Sequence, residues 1–314
     1  MRSASLGVVF VIVAGVVACG PGETVKPEDH QLQVVATTTI VGDLVRTIGG
    51  DDIQVEALMG PGVDPHLYKA SAGDVRRMSS ADAIFYSGLH LEGKMTDVMA
   101  GMNHRGVRTV AVAECIPEDR LIALQGFDGL HDPHVWFDVD LWSETVDCVT
   151  RALTELHPAG ADAYAANAKE YLDELAELDL WVRRRAAELP PEQRVLVTAH
   201  DAFAYFGRAY GFEVRGLLGV STASETGTAD IQRLAEFIVE HRIPAVFVET
   251  SVPPRFVEAL QEAVAAQGVA VEIGGSLYSD SLGNPGTPAG SYAGTVRANV
   301  ETIVGALQGT EGAD

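Results

Sequence analysis

The run Ala161 to Leu189 contains almost no helix breaker and is rich in Ala, Glu, Leu and Arg. Apolar residues at Tyr164, Ala168, Tyr171, Leu172, Leu175, Leu178 and Val182 keep helical spacing along it, which predicts one amphipathic helix. At about 1.5 Å per residue it would reach roughly 40 Å, enough to cross a whole domain. Pro158 precedes it and Pro190-Pro191 ends it. A helix of that length between two α/β regions reads as a rigid backbone, not as a flexible linker.

On each side of that helix the sequence alternates strands and helices. Before it come strands at Gln33–Thr38, Ile53–Met59, Ala83–Gly88 and Arg108–Ala113, with helices over Ile40–Ile48, Ala72–Met78, Leu91–Met99 and Leu141–Leu156. After it come strands at Arg194–Ala199, Phe212–Leu217, Ala245–Thr250 and Val269–Ile273. These alternate with helices over Phe203–Tyr210, Ile231–His241, Pro254–Gln267 and Ser291–Leu307. Such alternation predicts an α/β fold of two lobes with mostly parallel sheets. The expected divisions are 32–157 for the N-terminal lobe, 158–190 for the linking helix and 191–314 for the C-terminal lobe. A stiff linking helix also predicts little opening between the lobes, confined to the loop that holds Asp280.

The formal charge is -22. A surface that acidic repels phosphate backbones and argues against nucleic-acid binding; it suits a protein that handles cations, or simply one kept soluble by charge. At the N-terminus, Arg2 precedes an apolar stretch, Leu6 to Ala18, that is too short for a membrane span and reads as an export signal over residues 1–18. Val16-Val17-Ala18-Cys19 resembles a bacterial lipobox with Val where Leu is usual, making Cys19 the expected lipidation site. Residues 19–31 then read as a lipidated tether. Apart from Cys19 there are Cys115 and Cys148. Export permits a disulfide but two distant cysteines do not establish one. Cys148 lies at helical spacing with Val149 and Leu153, which favours a buried free thiol.

The triplet Asp-Pro-His occurs twice, at Asp64-Pro65-His66 in GVDPHLY and at Asp132-Pro133-His134 in HDPHVWFDV. Proline before each histidine keeps the aspartate extended and disfavours helix, so each imidazole sits on a stiff loop. His200 follows the strand ending at Ala199, and Asp280 lies in the Gly-rich stretch after the last predicted strand. All four groups are near strand ends, where open α/β sheets bind ligands. Three imidazoles and a carboxylate suit zinc, and manganese if the carboxylate binds through both oxygens. Each residue also has a plainer reading: a lone loop histidine is usually a surface group, and Asp280 by composition is a turn residue. His131 is a rival ligand expected at the rim; His30, His90, His104, His157 and His241 are expected to be exposed. Trp136 and Phe137 are expected to pack and fix the loop.

GVDPHLY, DPHVWFDV, TAHDAFAYFGRAYGF (Thr198 to Phe212), GVSTASE (Gly219 to Glu225) and IGGSLYSDSLG (Ile273 to Gly283) together resemble the zinc/manganese solute-binding proteins of ABC transporters. The likeness is strongest to the TroA-like lipoproteins of cluster A-I and covers Leu32 to Leu307. It implies two lobes joined by one long helix, with Zn2+ or Mn2+ held between them by His66, His134, His200 and Asp280. It also implies an ABC permease and its ATPase as partners, a monomer, and a periplasmic or cell-surface location on a lipid anchor. In the manganese-selective branch the third ligand is a glutamate; His200 stands at that position here, which leans to zinc. The His-rich loop common in zinc-specific members is absent, which leaves manganese open. Glu249, Thr38 and Thr39 are candidates to orient the ligands from behind. Two other classes compete: a zinc hydrolase with Asp201 or Glu249 as general base, though no HExxH helix is present, and a metal-binding surface adhesin.

Overall fold

The computed structural model describes residues 31–124, 129–224 and 226–308. The export signal, Cys19 and nearly all of the expected tether lie outside the described residues.

The N-terminal half is a four-stranded sheet built from β1 (Leu32–Ala36), β2 (Ile53–Ala57), β3 (Ala83–Tyr86) and β4 (Arg108–Ala111), in the order β2-β1-β3-β4. Every pairing is parallel, with Val34 opposite both Val55 and Ala83. Helices α1 (Thr39–Gly49), α2 (Ala72–Ser80), α3 (Thr96–His104) and α4 (Val139–Leu156) make the crossovers and cover. Ile40, Val41, Leu44, Val45 and Ile48 form the buried face of α1. The Thr38 hydroxyl caps this helix, accepting from the Val41 amide at 3.2 Å.

The long helix α5 spans Ala161–Ala186. Its buried stripe is Tyr164, Ala168, Tyr171, Leu175, Leu178, Val182 and Ala186, a steady three-or-four spacing that drifts little along the axis. Leu172, expected in the stripe, is 40% exposed, because one residue past Tyr171 turns a side chain about 100° around the helix. The stripe packs against α1 and α4 from the first half and against α6 (Ala204–Tyr210) and α9 (Tyr292–Leu307) from the second. One hydrophobic cluster therefore runs from β1 through α5 to α9. Each fully buried aliphatic or aromatic side chain in it contributes about 1.5–3 kcal/mol relative to exposure, and this is the physical basis of the helix's stiffness.

The second half holds β5 (Val195–His200) paired with β6 (Glu213–Leu218), and β7 (Ala245–Glu249) paired with β8 (Glu272–Leu277), both parallel, with β5 packed beside β7. α7 (Thr228–His241) and α8 (Arg255–Ala265) pack together on them over a second core containing Leu234, Ile238, Leu260 and Val264. The α/β class, the parallel sheets and the long helix agree with the sequence reading. Among the described residues no helix is long and apolar enough to cross a membrane.

The structure corrects four expectations. The helix expected at Leu91–Met99 begins only at Thr96. Gly88, Leu89 and His90 take φ of 86°, 51° and 65°, a left-handed turn that cannot run into an α-helix, and the Glu92 carboxylate accepts from the Ser87 and Gly88 amides to hold it. The last strand begins at Glu272, not Val269, and contains the glycines assigned to a loop. A Cβ on Gly274 would lie 2.6 Å from that of Ala306, and one on Gly275 would lie 2.6 Å from Thr302 Cγ2, so α9 can press directly on this strand. Cys148 is not a free thiol: it is disulfide-bonded to Cys115, 6.2 Å away between Cα atoms. This ties the turn after β4 to α4 across the segment that carries His134. His157 is half-buried, its Nδ1 2.8 Å from the Tyr164 hydroxyl, and is not a free surface group.

Candidate metal centre

The repeated Asp-Pro-His triplet is one mechanical device used twice. Asp64 Oδ1 accepts from the His66 amide at 2.8 Å, and Asp132 Oδ1 accepts from the His134 amide at 2.9 Å. Each aspartate folds over the rigid proline between them and aims the histidine that follows. In the second copy Asp132 Oδ1 also lies 2.7 Å from His134 Nδ1. His200 is the last residue of β5, and Glu249 the last of β7; because these strands lie side by side, one carboxylate serves both His200 groups. The His200 amide donates to Glu249 Oε1 at 2.8 Å, and His200 Nδ1 bonds to Oε2. With Nδ1 of His134 and of His200 turned to a carboxylate, each of these two rings keeps a proton there and directs Nε2 inward, the nitrogen that is left to bind a metal once its own proton is gone.

Those inward nitrogens meet. His66 Nε2 and His200 Nε2 lie 3.3 Å and 3.4 Å from His134 Nε2. Asp280 Oδ1 lies 3.5 Å from His134 Nε2 and 3.6 Å from His200 Nε2. All four atoms fall within 4.8 Å of one another, and all four residues are buried. Asp280 Oδ2 accepts from the Ser251 hydroxyl at 2.8 Å, which also lies 2.8 Å from the Ser279 hydroxyl. Asp280 Oδ1 is buried with no hydrogen-bond partner. Nitrogen and oxygen donors about 2.0–2.1 Å from a tetrahedral zinc stand roughly 3.3–3.4 Å apart; the three separations from His134 and the one between His200 and Asp280, 3.3 to 3.6 Å, are close to that spacing.

The electrostatics show which donors carry protons before an ion arrives. Burial, reinforced by the neighbouring rings and opposed by Asp280, pushes His66 down to about 3, so it is neutral at physiological pH. Burial also disfavours charge on His134, but the Asp132 and Asp280 carboxylates outweigh it and carry that ring up to about 9. His200 is raised well above the usual range, burial being overcome by Glu249 and Asp280. Asp280 is held well below the usual carboxylate range, because the three rings outweigh its own burial. The cluster is a preformed anionic oxygen among nitrogen donors, two of them protonated in the absence of a cation.

Supporting groups come from both halves. Trp136, 3% exposed, stands edge-on to His134, donates its Nε1–H to the Ser279 carbonyl at 3.0 Å, and receives the Tyr292 hydroxyl on its own carbonyl at 2.7 Å. Phe137 stacks on Phe203 with ring centres 4.1 Å apart. The Thr39 hydroxyl accepts from the Leu282 amide at 2.8 Å, and the Ser281 hydroxyl accepts from the Gly62 amide at 2.8 Å. The Asp280 segment is thus tied to the N-terminal half at Trp136, Thr39 and Gly62, which argues against it as the part that moves.

Of the three candidates for support, Glu249 sits behind His200 and Thr39 pins the Asp280 segment. Thr38 is corrected: its hydroxyl caps α1 and orients no ring. Sequence reasoning missed Asp132, Asp64, Ser251 and Ser279 as supporting groups. The aspartates carried a visible signal, since each stands two residues before a candidate histidine; the serines carried none. His131 lies outside the cluster, on the rim of a cavity of about 640 Å³ that has His66 in its wall. His90, His104 and His241 are exposed, and His30 lies outside the described residues.

Residues 34–306 match the family model described as zinc-uptake complex component A, periplasmic. The chain is 47% identical over 308 residues to the manganese-binding lipoprotein MntA of Bacillus subtilis, covering 98% of this chain and 100% of that protein. It is 51% identical over 280 residues to the zinc-binding protein TroA of Treponema pallidum, covering 89% and 90%. It is 29% identical over 310 residues to the manganese ABC transporter substrate-binding lipoprotein PsaA of Streptococcus mitis, covering 96% and 98%. The solved structure of the periplasmic zinc-binding protein TroA from Treponema pallidum superposes with a TM-score of 0.86, covering 88% of this chain and 99% of that one. A match over nearly all of the described chain, in sequence and in fold, settles the affiliation: the chain belongs to the family of the periplasmic zinc-uptake complex component A.

Proposed function

We propose that this protein is the solute-binding component of an ABC importer. It captures a divalent transition metal, zinc and also manganese, at His66, His134, His200 and Asp280, and hands it to a membrane permease driven by an ATPase. The observation that carries this reading is the convergence of three Nε2 atoms on a buried, unpartnered carboxylate oxygen. The metal is cargo. His66, His134 and His200 supply neutral donors of intermediate softness and Asp280 supplies charge, a donor set suited to zinc. Lobes over 32–157 and 191–314, joined by the segment 158–190, hold the two halves of the site. Lipidation at Cys19 would keep a monomeric protein at the membrane beside its permease. A hydrolase reading gains nothing from the geometry, since Glu249 is committed to both the amide and Nδ1 of His200.

Metal analysis of the purified protein, followed by competition between zinc and manganese, tests this directly. Wild type is expected to bind both, zinc more tightly; a protein that takes up neither overturns the proposal. His200→Glu exchanges a nitrogen donor for a carboxylate and is expected to move the zinc-to-manganese preference toward manganese by at least about tenfold. An unchanged ratio would show that His200 does not set the preference.

Asp132→Asn keeps an oxygen that can accept from the His134 amide but removes the charge behind the ring. Zinc affinity should fall about 10–100-fold, measured against a chromogenic chelator. A loss below threefold would mean that the ring needs no carboxylate partner.

A further inference from the structure

The cavity of about 640 Å³ is the natural approach to the metal centre. His66 is the one member of the cluster in its wall, while His134, His200 and Asp280 are each no more than 1% exposed. The carboxyl-bearing residues Asp132 and Asp201 also line it, and Asp132 Oδ2 is buried without a hydrogen-bond partner, so the approach favours a cation. The loop between β6 and α7 also lines it, through Gly219, Val220, Ser221 and Ser224. This loop belongs to the sequence motif GVSTASE, to which the ligand set assigns no role.

Two hydrogen bonds stay within this loop, the Ser224 amide to the Ser221 carbonyl and the Ala223 amide to the Ser221 hydroxyl, and a third stays in the C-terminal half, the Gly219 carbonyl accepting from the Asp201 amide. One bond leaves the C-terminal half. The Thr222 hydroxyl donates to Asp64 Oδ2 at 2.6 Å, across 158 residues of sequence. The other oxygen of the same carboxylate, Asp64 Oδ1, holds the His66 amide. Among the described residues this is the single hydrogen bond from residues 219–224 to the N-terminal half. The cover of the cavity and the ligand in its wall therefore share one carboxylate.

We infer that the Thr222–Asp64 hydrogen bond is a latch that closes residues 219–224 over the ion's passage and sets the rate at which a bound divalent cation exchanges with solvent. Thr222 is a positioning residue: it touches no donor atom and acts through Asp64 and the loop. The inference rests on the metal-binding reading for its kinetic part but not for its structural part.

The test uses Thr222→Val, which keeps the shape and removes the hydroxyl, and Thr222→Ser, which restores it. Zinc release from the full-length loaded protein, followed by stopped-flow with excess chelator, is expected to be at least tenfold faster in Thr222→Val and within threefold of wild type in Thr222→Ser. In metal-free protein, amide hydrogen exchange should speed up in Thr222→Val at residues 219–224 and around Val63–His66, with an unchanged thermal midpoint. Equal release rates in wild type and Thr222→Val would overturn the latch while leaving metal binding intact. Wild type that binds no zinc would instead overturn the functional reading, and the hydrogen-exchange comparison would then decide the latch alone: unchanged exchange at both segments refutes it.

Discussion

Asp280→Ala is expected to weaken zinc binding by two to three orders of magnitude. A four-ligand zinc site is worth about 10–16 kcal/mol, so a quarter share is roughly 2.5–4 kcal/mol, and each 1.4 kcal/mol is tenfold. Asp280 should carry no less than its share, since it is the one anionic donor and is fully buried. Its Oδ1 is buried without a hydrogen-bond partner and faces the His134 and His200 rings, while the Ser251 hydroxyl, itself 2.8 Å from that of Ser279, holds Oδ2. Chelator competition on the variant checks the figure, with circular dichroism to confirm that the fold persists. A loss smaller than tenfold would show that the three imidazoles suffice.

The second large effect is with pH. In the metal-free protein His134, at about 9, and His200, well above its usual range, hold protons near neutrality, whereas His66, at about 3, does not. A ring nitrogen bound to metal cannot keep its proton, so binding releases protons and affinity must rise with pH. The sign follows from the raised values: the competition is strongest below about 9 and fades as pH climbs past it. Each released proton changes affinity about tenfold per pH unit, so two give roughly a hundredfold loss from pH 7 to pH 6. Calorimetry at pH 7 in two buffers of different ionisation heat should count about two protons released per zinc ion. An affinity that stays flat between pH 6 and pH 8 would mean that both rings are already neutral in the metal-free protein.

A cluster assembled from distant segments needs a stiff frame. The donors come from four places: the segment after β2, the segment before α4, the end of β5 and the segment after β8. Sub-ångström placement of atoms from such distant segments requires that each be over-determined by its surroundings. Trp136, Thr39 and Ser281 do this for the Asp280 segment, and α5 does it for the two halves as wholes. The left-handed turn at Gly88–His90 shows the same priority, since Leu89 and His90, two residues that are not glycine, accept an unfavourable backbone region beside the cavity.

The α/β class, the long helix and the identity of the four converging groups could all be read from the chain. Periodicity reports burial along one element, and the Asp-Pro-His triplets report local turns, because in both cases the physics is confined to neighbours in sequence. What periodicity could not resolve lies where a distant element intrudes. Gly274 and Gly275 resemble loop residues until α9 presses on them, and Leu91 resembles a helix start until Glu92 is drawn back to Ser87 and Gly88. Cys148 resembles an ordinary core thiol until Cys115 is brought beside it.

The sequence by itself determined which residues could bind a cation and which short devices would aim them. Only the tertiary structure decided that three imidazole nitrogens and one carboxylate oxygen share a buried point, that Asp132 and Glu249 stand behind the Nδ1 atoms of His134 and His200, and that Thr222 reaches across to Asp64. Donor chemistry is a property of a residue, whereas a coordination site is a set of distances between residues far apart in sequence. Those distances are fixed by which elements pack against α5 and by the register of strand pairing, and the partners and registers of such contacts leave no local signature in the chain.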